Sequence, residues 1–118
     1  MSYDIYLNDP VTGETLVLDT PHQCRGGTYC VGGSNQLHLN VTYNYSKHYR
    51  AVFGENGVRT IYGLSGAQSI PILQDAINKL GNDVDDDYWK STEGNAKRAL
   101  CQLLSFAQMR PDGVWNGD

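Results

Sequence analysis

Cationic and aromatic side chains are concentrated in one stretch of the chain that contains no acid. Between Asp19 and Glu55 there is no Asp or Glu, while the same span holds all three histidines of the protein. Its other basic and tyrosine side chains are Arg25, Lys47, Arg50, Tyr29, Tyr43, Tyr45 and Tyr49. Arginine pairs with phosphate through two N–H groups, and aromatic rings stack on planar bases. This span therefore predicts a site for a planar anionic ligand such as a nucleotide.

The pattern is densest from residue 43 to residue 50, and the hypothesis gives its side chains two roles. The rings that would stack on the ligand are Tyr43, Tyr45 and Tyr49. The side chains that would pair with phosphate are Arg25, His48 and Arg50. The alternative is a sheet with ordinary polar decoration, in which the tyrosines pack in the core because their rings behave as apolar groups.

A second candidate anion site lies at the start of the last predicted helix. A helix N-terminus presents free N–H groups and the positive end of the helix dipole. Gly94, Asn95, Lys97 and Arg98 follow the capping candidates Ser91 and Thr92 and could complete such a site. The alternative is plain capping with solvated Lys97 and Arg98, because Glu93 would repel a phosphate.

Other chemistries have weaker support. His22, Cys24, Cys30 and His38 offer nitrogen and sulfur ligands, but their spacing matches no standard zinc pattern, so we expect no metal and no cofactor. Nothing marks Cys24 or Cys30 as an activated nucleophile. The acids of residues 83–87 could act in acid–base chemistry, although an acidic loop before a helix is more often simply solvated.

Bulk composition limits the possible classes of protein. A chain of 118 residues fits a single domain, residues 1–118. The net charge of -4 argues against a general nucleic-acid binder, which needs a basic balance. No apolar run reaches the length of a membrane span. The first four residues lack the features of a signal peptide, so we expect a cytoplasmic protein with reduced cysteines.

The first half of the chain is predicted to form strands. Tyr3, Ile5 and Leu7 alternate with polar residues, and a hairpin should return through residues 15–18. The clearest strand runs from Gln36 to about Tyr45, where apolar and polar residues alternate with period two. Shorter strands are predicted at residues 28–31 and 58–64, whereas residues 46–53 are ambiguous.

The second half is predicted to form two principal helices. Pro71 suits a first helical turn, and the helix that it opens should end near Gly81. The second helix, capped by Ser91 or Thr92, should end at Pro111, and Trp115 in the tail should pack back on the domain. Strands followed by helices predict an α+β fold, in which an antiparallel sheet from the N-terminal half is packed by two helices from the C-terminal half.

Three segments of the chain resemble small bacteriophage- and prophage-encoded proteins for which no activity can be carried over. The segments are residues 39–46, residues 61–71, and residues 88–97 together with the ending 111–115. The resemblance implies a phage context, in which small acidic proteins often occupy a host signalling molecule or a host defence protein.

These observations lead to one functional expectation and two alternatives. We expect a non-catalytic, cytoplasmic binding protein that sequesters a small anionic ligand, most plausibly a nucleotide signal of host immunity. The first alternative is an inhibitor of a host defence protein that uses the acidic face of residues 83–87. The second is a small hydrolase that uses histidine acid–base chemistry. Short strands leave sheet edges that need a partner, so a homo-oligomer is also expected.

Overall fold

The strands of the protein form two antiparallel sheets. A computed structural model describes residues 1–28 and 30–118. The strands in these ranges are β1 (Ser2–Asn8), β2 (Val17–His22), β3 (Ser34–Gln36), β4 (His38–Thr42) and β5 (Val114–Gly117). Strand β1 lies between β4 and β5, while β2 and β3 pair with each other. The central sheet therefore joins segments from the two ends of the chain.

Strand β1 has the predicted alternation, because Tyr3, Ile5 and Leu7 are all buried. The predicted hairpin is only partly formed. A single bridge joins Asn8 to Thr15, and the chain then leaves β1 to pair with β3. The main partners of β1 are β4 and β5 instead, since their buried side chains complete the same apolar face.

Strand β4 is shorter than the sequence predicts. Leu39 and Val41 are buried as expected, but the strand ends at Thr42. The Thr42 hydroxyl accepts a hydrogen bond from the Asn44 N–H over 3.1 Å and caps a 3₁₀ turn, Tyr43–Tyr45. The helix α1 (Ser46–Phe53) follows directly. Extending the period-two pattern past Thr42 was wrong because Tyr45 and Tyr49, four residues apart, share a helical face.

Two other predicted strands are not found among the described residues. Residues 57–61 form a 3₁₀ helix, Gly57–Ile61, whose buried Val58 and Ile61 are three residues apart, as that helix requires. In the other segment, Thr28, Cys30 and Val31 are not in a strand, and Tyr29 lies outside the described residues.

The two predicted C-terminal helices are confirmed as α2 (Gly66–Lys79) and α3 (Glu93–Met109). Helix α2 begins earlier than predicted because Ser65 and Gln68 form a capping box, and Pro71 therefore lies in its second turn. Thr92 caps α3 by accepting from the Asn95 N–H over 3.0 Å. Helix α3 ends before Pro111, as expected.

The helices α2 and α3 pack against the antiparallel sheet, which confirms the predicted α+β fold. Leu73 of α2 and Leu103 and Phe106 of α3 are fully buried in the same core as β1. Trp115 of β5 packs back as predicted. Its indole N–H donates to the Ser69 hydroxyl over 2.7 Å, which ties the C-terminal strand to α2.

Candidate functional site

One cavity of about 250 Å³ lies where the loop after β2, the segment before α3 and the first half of α3 meet. It is lined by Arg25, Gly26, Gly27, Tyr45, Asp86, Tyr88, Trp89, Asn95, Arg98, Ala99 and Gln102. We call this the arginine cavity. Its lining holds two guanidinium groups and one carboxylate, so its formal charge is positive in a protein whose net charge is -4.

Two consecutive glycines bring the first wall of the arginine cavity close to β4. The Gly27 N–H donates to the Asn40 carbonyl over 2.9 Å. A Cβ on Gly26 would lie 1.6 Å from that carbonyl oxygen, and a Cβ on Gly27 would lie 2.5 Å from the Asn40 side-chain oxygen. Only glycine allows this approach of two backbones, so the pair places Arg25 at the rim.

Gln102 of α3 holds the backbone of Arg25 from the other side. With its carboxamide oriented to satisfy both groups, Gln102 donates to the Arg25 carbonyl over 2.9 Å and accepts from the Arg25 N–H over 3.1 Å. Arg98 and Gln102 are four residues apart and therefore lie on the same face of α3. Hence one helix face positions Arg25 and also contributes the second guanidinium.

The opposite wall is the segment of residues 82–92, which we call the acidic connector. Asn95 of α3 is 4% exposed and holds this wall from beneath. Its side-chain oxygen accepts from the Asp85 N–H over 2.9 Å, and its NH₂ group donates to the carbonyls of Asp87 and Lys90 over 3.0 and 3.1 Å. One buried amide therefore sets the path of six consecutive residues.

Trp89 presents an aromatic surface at the cavity. Its side chain is 53% exposed, whereas its backbone is held at both ends. The Asn44 side chain donates to the Trp89 carbonyl over 2.7 Å, and the Asp87 carboxylate accepts from the Trp89 N–H over 3.1 Å. The edge of the indole lies against Gly27, where an added Cβ would be 3.1 Å away. A ring held in this way can stack on a ligand with little loss of conformational entropy.

Tyr88 joins the acidic connector to the sheet. Its hydroxyl accepts from the Thr42 N–H over 2.9 Å and donates to the Asn40 carbonyl over 3.3 Å. Burial raises the pKa of this hydroxyl, so it stays protonated and able to donate. The Tyr88 ring meets Trp89 edge-on, with centroids 5.0 Å apart. Tyr88 is thus a support for the neighbouring indole.

The predicted stacking tyrosines have different places in the structure. Tyr45 and Tyr49 are fully buried, and their hydroxyls donate to the backbone carbonyls of Tyr88 and Ala96. Burial raises the pKa of both hydroxyls. A ring without exposed surface cannot stack on a ligand, so these two tyrosines pack in the core, and Tyr45 closes the back of the arginine cavity.

Tyr43 and Arg50 lie outside the lining of the arginine cavity. Tyr43 packs edge-on against Tyr3, with centroids 4.6 Å apart, and its hydroxyl accepts from Arg59 over 3.1 Å. Arg50 is an exposed residue of α1, where its Cγ lies near the Gly57 turn. Of the three side chains predicted to pair with phosphate, the structure places only Arg25 at this cavity.

His48 contacts the acidic connector through Ser91. The Ser91 hydroxyl has one hydrogen, and its shortest contact is the Asn44 carbonyl at 2.6 Å, to which it donates. The His48 Nε2 atom lies 3.2 Å from the Ser91 hydroxyl oxygen and 3.3 Å from the Ser91 carbonyl oxygen, so with the Ser91 proton directed at Asn44 it is placed to donate to both. A nucleophilic serine would need the reverse arrangement, with its proton directed at histidine.

The predicted anion site at the start of α3 is occupied by the protein itself. The Asp83 carboxylate accepts from the Gly94 N–H over 2.9 Å, and Thr92 takes the Asn95 N–H. Lys97 donates to the Asn82 side chain over 2.7 Å and reaches the Leu80 carbonyl at the end of α2. Lys97 therefore closes the C-terminus of α2, and Asn95 supports the connector.

Three of the four acids of the connector accept hydrogen bonds from backbone N–H groups. Asp83 caps α3, Asp85 accepts from the Asp87 N–H, and Asp87 accepts from the Trp89 N–H. The pKa of the Asp85 carboxyl is lowered, first by the hydrogen bond that it accepts from the Asp87 N–H and second by its hydrogen bond with Lys90. These hydrogen bonds fix the backbone of the connector, so most of its carboxylates have a structural role.

The candidate metal ligands surround a smaller cavity of about 70 Å³. His22 Nε2 lies 2.5 Å from the Gln36 carbonyl, and His38 Nε2 lies 3.2 Å from the Asp4 carboxylate. Across residues 1–28 and 30–118, no three His, Cys, Asp or Glu side chains are grouped closely enough to hold a metal ion. Both histidines therefore serve as hydrogen-bonding groups of the sheets.

The sequence provided no indication of two side chains of the site and suggested a different role for two others. It gave no role to Trp89 or Gln102, treated Asp86 as one acid among several, and attached Arg98 to a helix terminus. The spacing of Arg98 and Gln102, four residues apart on a predicted helix, was the available signal. Their proximity to Arg25, more than seventy residues earlier, is not visible in any local pattern.

No protein-family model, curated protein or solved structure matches this chain. Among its described helices, none is long and apolar enough to cross a membrane. The site must therefore be interpreted from its own chemistry.

Proposed function

We propose that this protein is a non-catalytic binding protein that sequesters a small anionic ligand with a planar ring. One observation carries the proposal: Arg25, Arg98 and the half-exposed indole of Trp89 line one cavity. Guanidinium groups bind phosphate through charge-assisted hydrogen bonds, and an indole offers a stacking surface of the right chemistry for a base.

Arg98 supports the proposal more directly than any other basic residue. Its guanidinium has no hydrogen bond or ion pair with the described part of the chain, whereas Lys97 beside it is bonded to Asn82. A guanidinium presents five N–H donors in a rigid fork. Arg98 is thus available to meet an anion at the cavity.

The size of the arginine cavity limits how much ligand it can enclose. Pockets that enclose a whole drug-sized ligand have volumes of about 300–1,000 Å³. At about 250 Å³, the arginine cavity would enclose a nucleotide only in part, so a bound nucleotide would touch the lining and keep some of its surface exposed to solvent. A nucleotide signal of host immunity, held in the host cytoplasm, is the specific ligand that we propose. Its support is the resemblance to phage-encoded proteins together with these arginines.

Binding without catalysis is favoured by the Ser91–His48 contact. Because Ser91 donates to Asn44, His48 is not positioned to take its proton. The hydrolase alternative would therefore need a different nucleophile, such as a water molecule bound beside the ligand.

The test is a fluorescence titration with a panel of mono-, di- and cyclic oligonucleotides. Trp89 is exposed and Trp115 is 1% exposed, so quenching by a stacked base should come from Trp89. Trp89→Phe should abolish the signal, while Trp115 supplies the unchanged background. No response to any member of the panel, in fluorescence and in calorimetry, would contradict the proposal.

Recovery of the ligand distinguishes the alternatives. Protein loaded with ligand is denatured, and the released material is identified by mass spectrometry. Intact ligand indicates sequestration, whereas altered ligand indicates a hydrolase. If the protein retains no ligand, the inhibitor that uses the acidic face of residues 83–87 becomes the better explanation.

A further inference from the structure

Asp86 differs from the other acids of the acidic connector. The carboxylates of Asp83, Asp85 and Asp87 all accept hydrogen bonds from backbone N–H groups. Asp86 lines the arginine cavity, and its carboxylate has no hydrogen bond or ion pair with the described residues. Three of these four acids thus stabilise the backbone of the connector, and the fourth, Asp86, is available at the arginine cavity.

A carboxylate in this position has consequences for the ligand. It would repel a phosphate, so phosphate must lie on the side of Arg98 rather than beside Asp86. An ionised carboxylate is also an acceptor only, with two oxygens that can take two parallel N–H donors. The lining therefore demands a ligand with an anionic end and, separately, an edge rich in N–H donors.

Resting on the proposed function, we infer that the ligand bound in the arginine cavity is a guanine nucleotide. The Watson–Crick edge of guanine carries N1–H and the 2-amino group side by side, and both can donate to one carboxylate. Adenine offers one donor and an unprotonated N1, whose lone pair would face the carboxylate. Hypoxanthine keeps N1–H but has no amino group.

The surroundings of Asp86 suit this arrangement. Trp89 follows three residues later on the same segment and lines the same cavity, so a base stacked on the indole would have its edge within this cavity, as Asp86 has its carboxylate. The bonds from Asn95 to Asp85 N–H and to the carbonyls of Asp87 and Lys90 hold both residues on one stiff stretch of backbone. Because the backbone on both sides of Asp86 is held, the positions that its carboxylate can reach are limited, which favours one base edge over another.

The test compares guanosine, inosine, adenosine and xanthosine 5′-monophosphates by calorimetry, with Trp89 fluorescence as the second signal. We expect guanosine monophosphate to bind most tightly, by about ten- to a hundred-fold over adenosine monophosphate, the range of a bidentate base contact. Inosine monophosphate should be intermediate because it supplies one of the two donors.

Asp86→Asn provides the decisive variant. Its amide can accept from N1–H and donate to the 2-oxo group of xanthine, so the preference should move from guanosine to xanthosine monophosphate. Asp19→Asn, an exposed site on β2 outside the cavity, makes the same change of charge and should leave the order of affinities unaltered. Thermal melting of both variants checks that each is folded.

The possible failures are distinguishable. If all four nucleotides bind equally and quench Trp89, the inference of guanine selectivity is overturned while the binding function stands. If guanosine monophosphate is preferred but Asp86→Asn leaves the preference unchanged, Asp86 is not the reader of the base and the inference also fails. If none of the four binds while another member of the nucleotide panel does, the inference fails and the binding function stands; if no member of the panel binds, both are contradicted.

Discussion

At the residue scale, whether an arginine lines the arginine cavity depends on its position in the fold and not on which residues are next to it in the sequence. Arg50 follows the densest run of tyrosine and histidine, yet it lies on the exposed side of α1. Arg98 sits in an unremarkable stretch of helix and lines the arginine cavity. The two side chains are chemically identical and both are exposed, so they form a matched pair for testing the site.

We predict that Arg98→Ala weakens nucleotide binding by about ten- to a hundred-fold, the effect of losing a charge-assisted hydrogen bond of roughly 1.5–3 kcal/mol. The melting temperature should change little because the side chain is exposed and forms no hydrogen bond or ion pair with the described residues. Arg50→Ala serves as the control and should retain wild-type affinity in calorimetry. Equal losses in the two variants would mean that long-range charge, rather than the cavity, attracts the ligand.

At the scale of elements, the acidic connector has little regular structure of its own and depends on α3. Asn95 satisfies one N–H and two carbonyls of the connector from a position with almost no exposure to solvent. Asp83 returns the support by capping α3. The acidic connector and α3 therefore satisfy each other's hydrogen-bonding groups. Together these bonds form the cavity wall that carries Trp89.

Two substitutions at Asn95 should separate the roles of its oxygen and its NH₂ group. Asn95→Asp keeps an acceptor for the Asp85 N–H but cannot donate to the carbonyls of Asp87 and Lys90. Asn95→Ala loses all three bonds. We expect both variants to lower the free energy of unfolding, by about 1–3 kcal/mol for each buried group left unpaired, with the alanine variant less stable.

Urea denaturation measures the stability of the two Asn95 variants, and proteolysis of residues 82–92 reports local opening. Asn78→Ala on the exposed face of α2 is the control, and it should change stability by less than about 0.5 kcal/mol. Wild-type stability in Asn95→Ala would show that the connector is held by something other than this amide.

At the scale of the whole molecule, most of the edges of the central sheet are covered by the chain itself. On the outer side of β5, Trp115 exchanges hydrogen bonds with Gly63 and Leu64. On the outer side of β4, the Asn40 carbonyl and the Thr42 N–H are taken by Gly27 and Tyr88. An additional strand could not pair with this sheet without displacing these contacts. The β2–β3 sheet remains as the place for pairing through an edge.

The expected homo-oligomer is therefore predicted to use β2 or β3. Light scattering at micromolar concentration should give twice the 13.1 kDa of one chain. Thr20→Pro, at an exposed position of β2, removes a backbone donor from that strand and should return the particle to a monomer, while the core around β1 remains folded. A monomer of the unaltered chain at these concentrations would contradict the prediction.

The sequence by itself determined the elements whose signals are local. The alternation of Leu37, Leu39 and Val41 identified the buried face of β4 and of the residue before it, and helical spacing identified α2 and α3, with Thr92 as a correctly predicted cap of α3. The order of strands before helices was enough to predict the α+β class. In each case the signal repeats within a few residues, so one segment carries it complete.

Only the tertiary structure decided where the aromatic and basic side chains act. Residues 43–50 resemble a ligand-binding segment in the sequence, but Tyr45 and Tyr49 fill the core because α1 turns them inward. The arginine cavity combines Arg25, Trp89 and Arg98 from three separate segments. No local sequence pattern predicts that these three residues lie close together, because their proximity depends on two glycines that pack against β4 and on Asn95, which holds the connector.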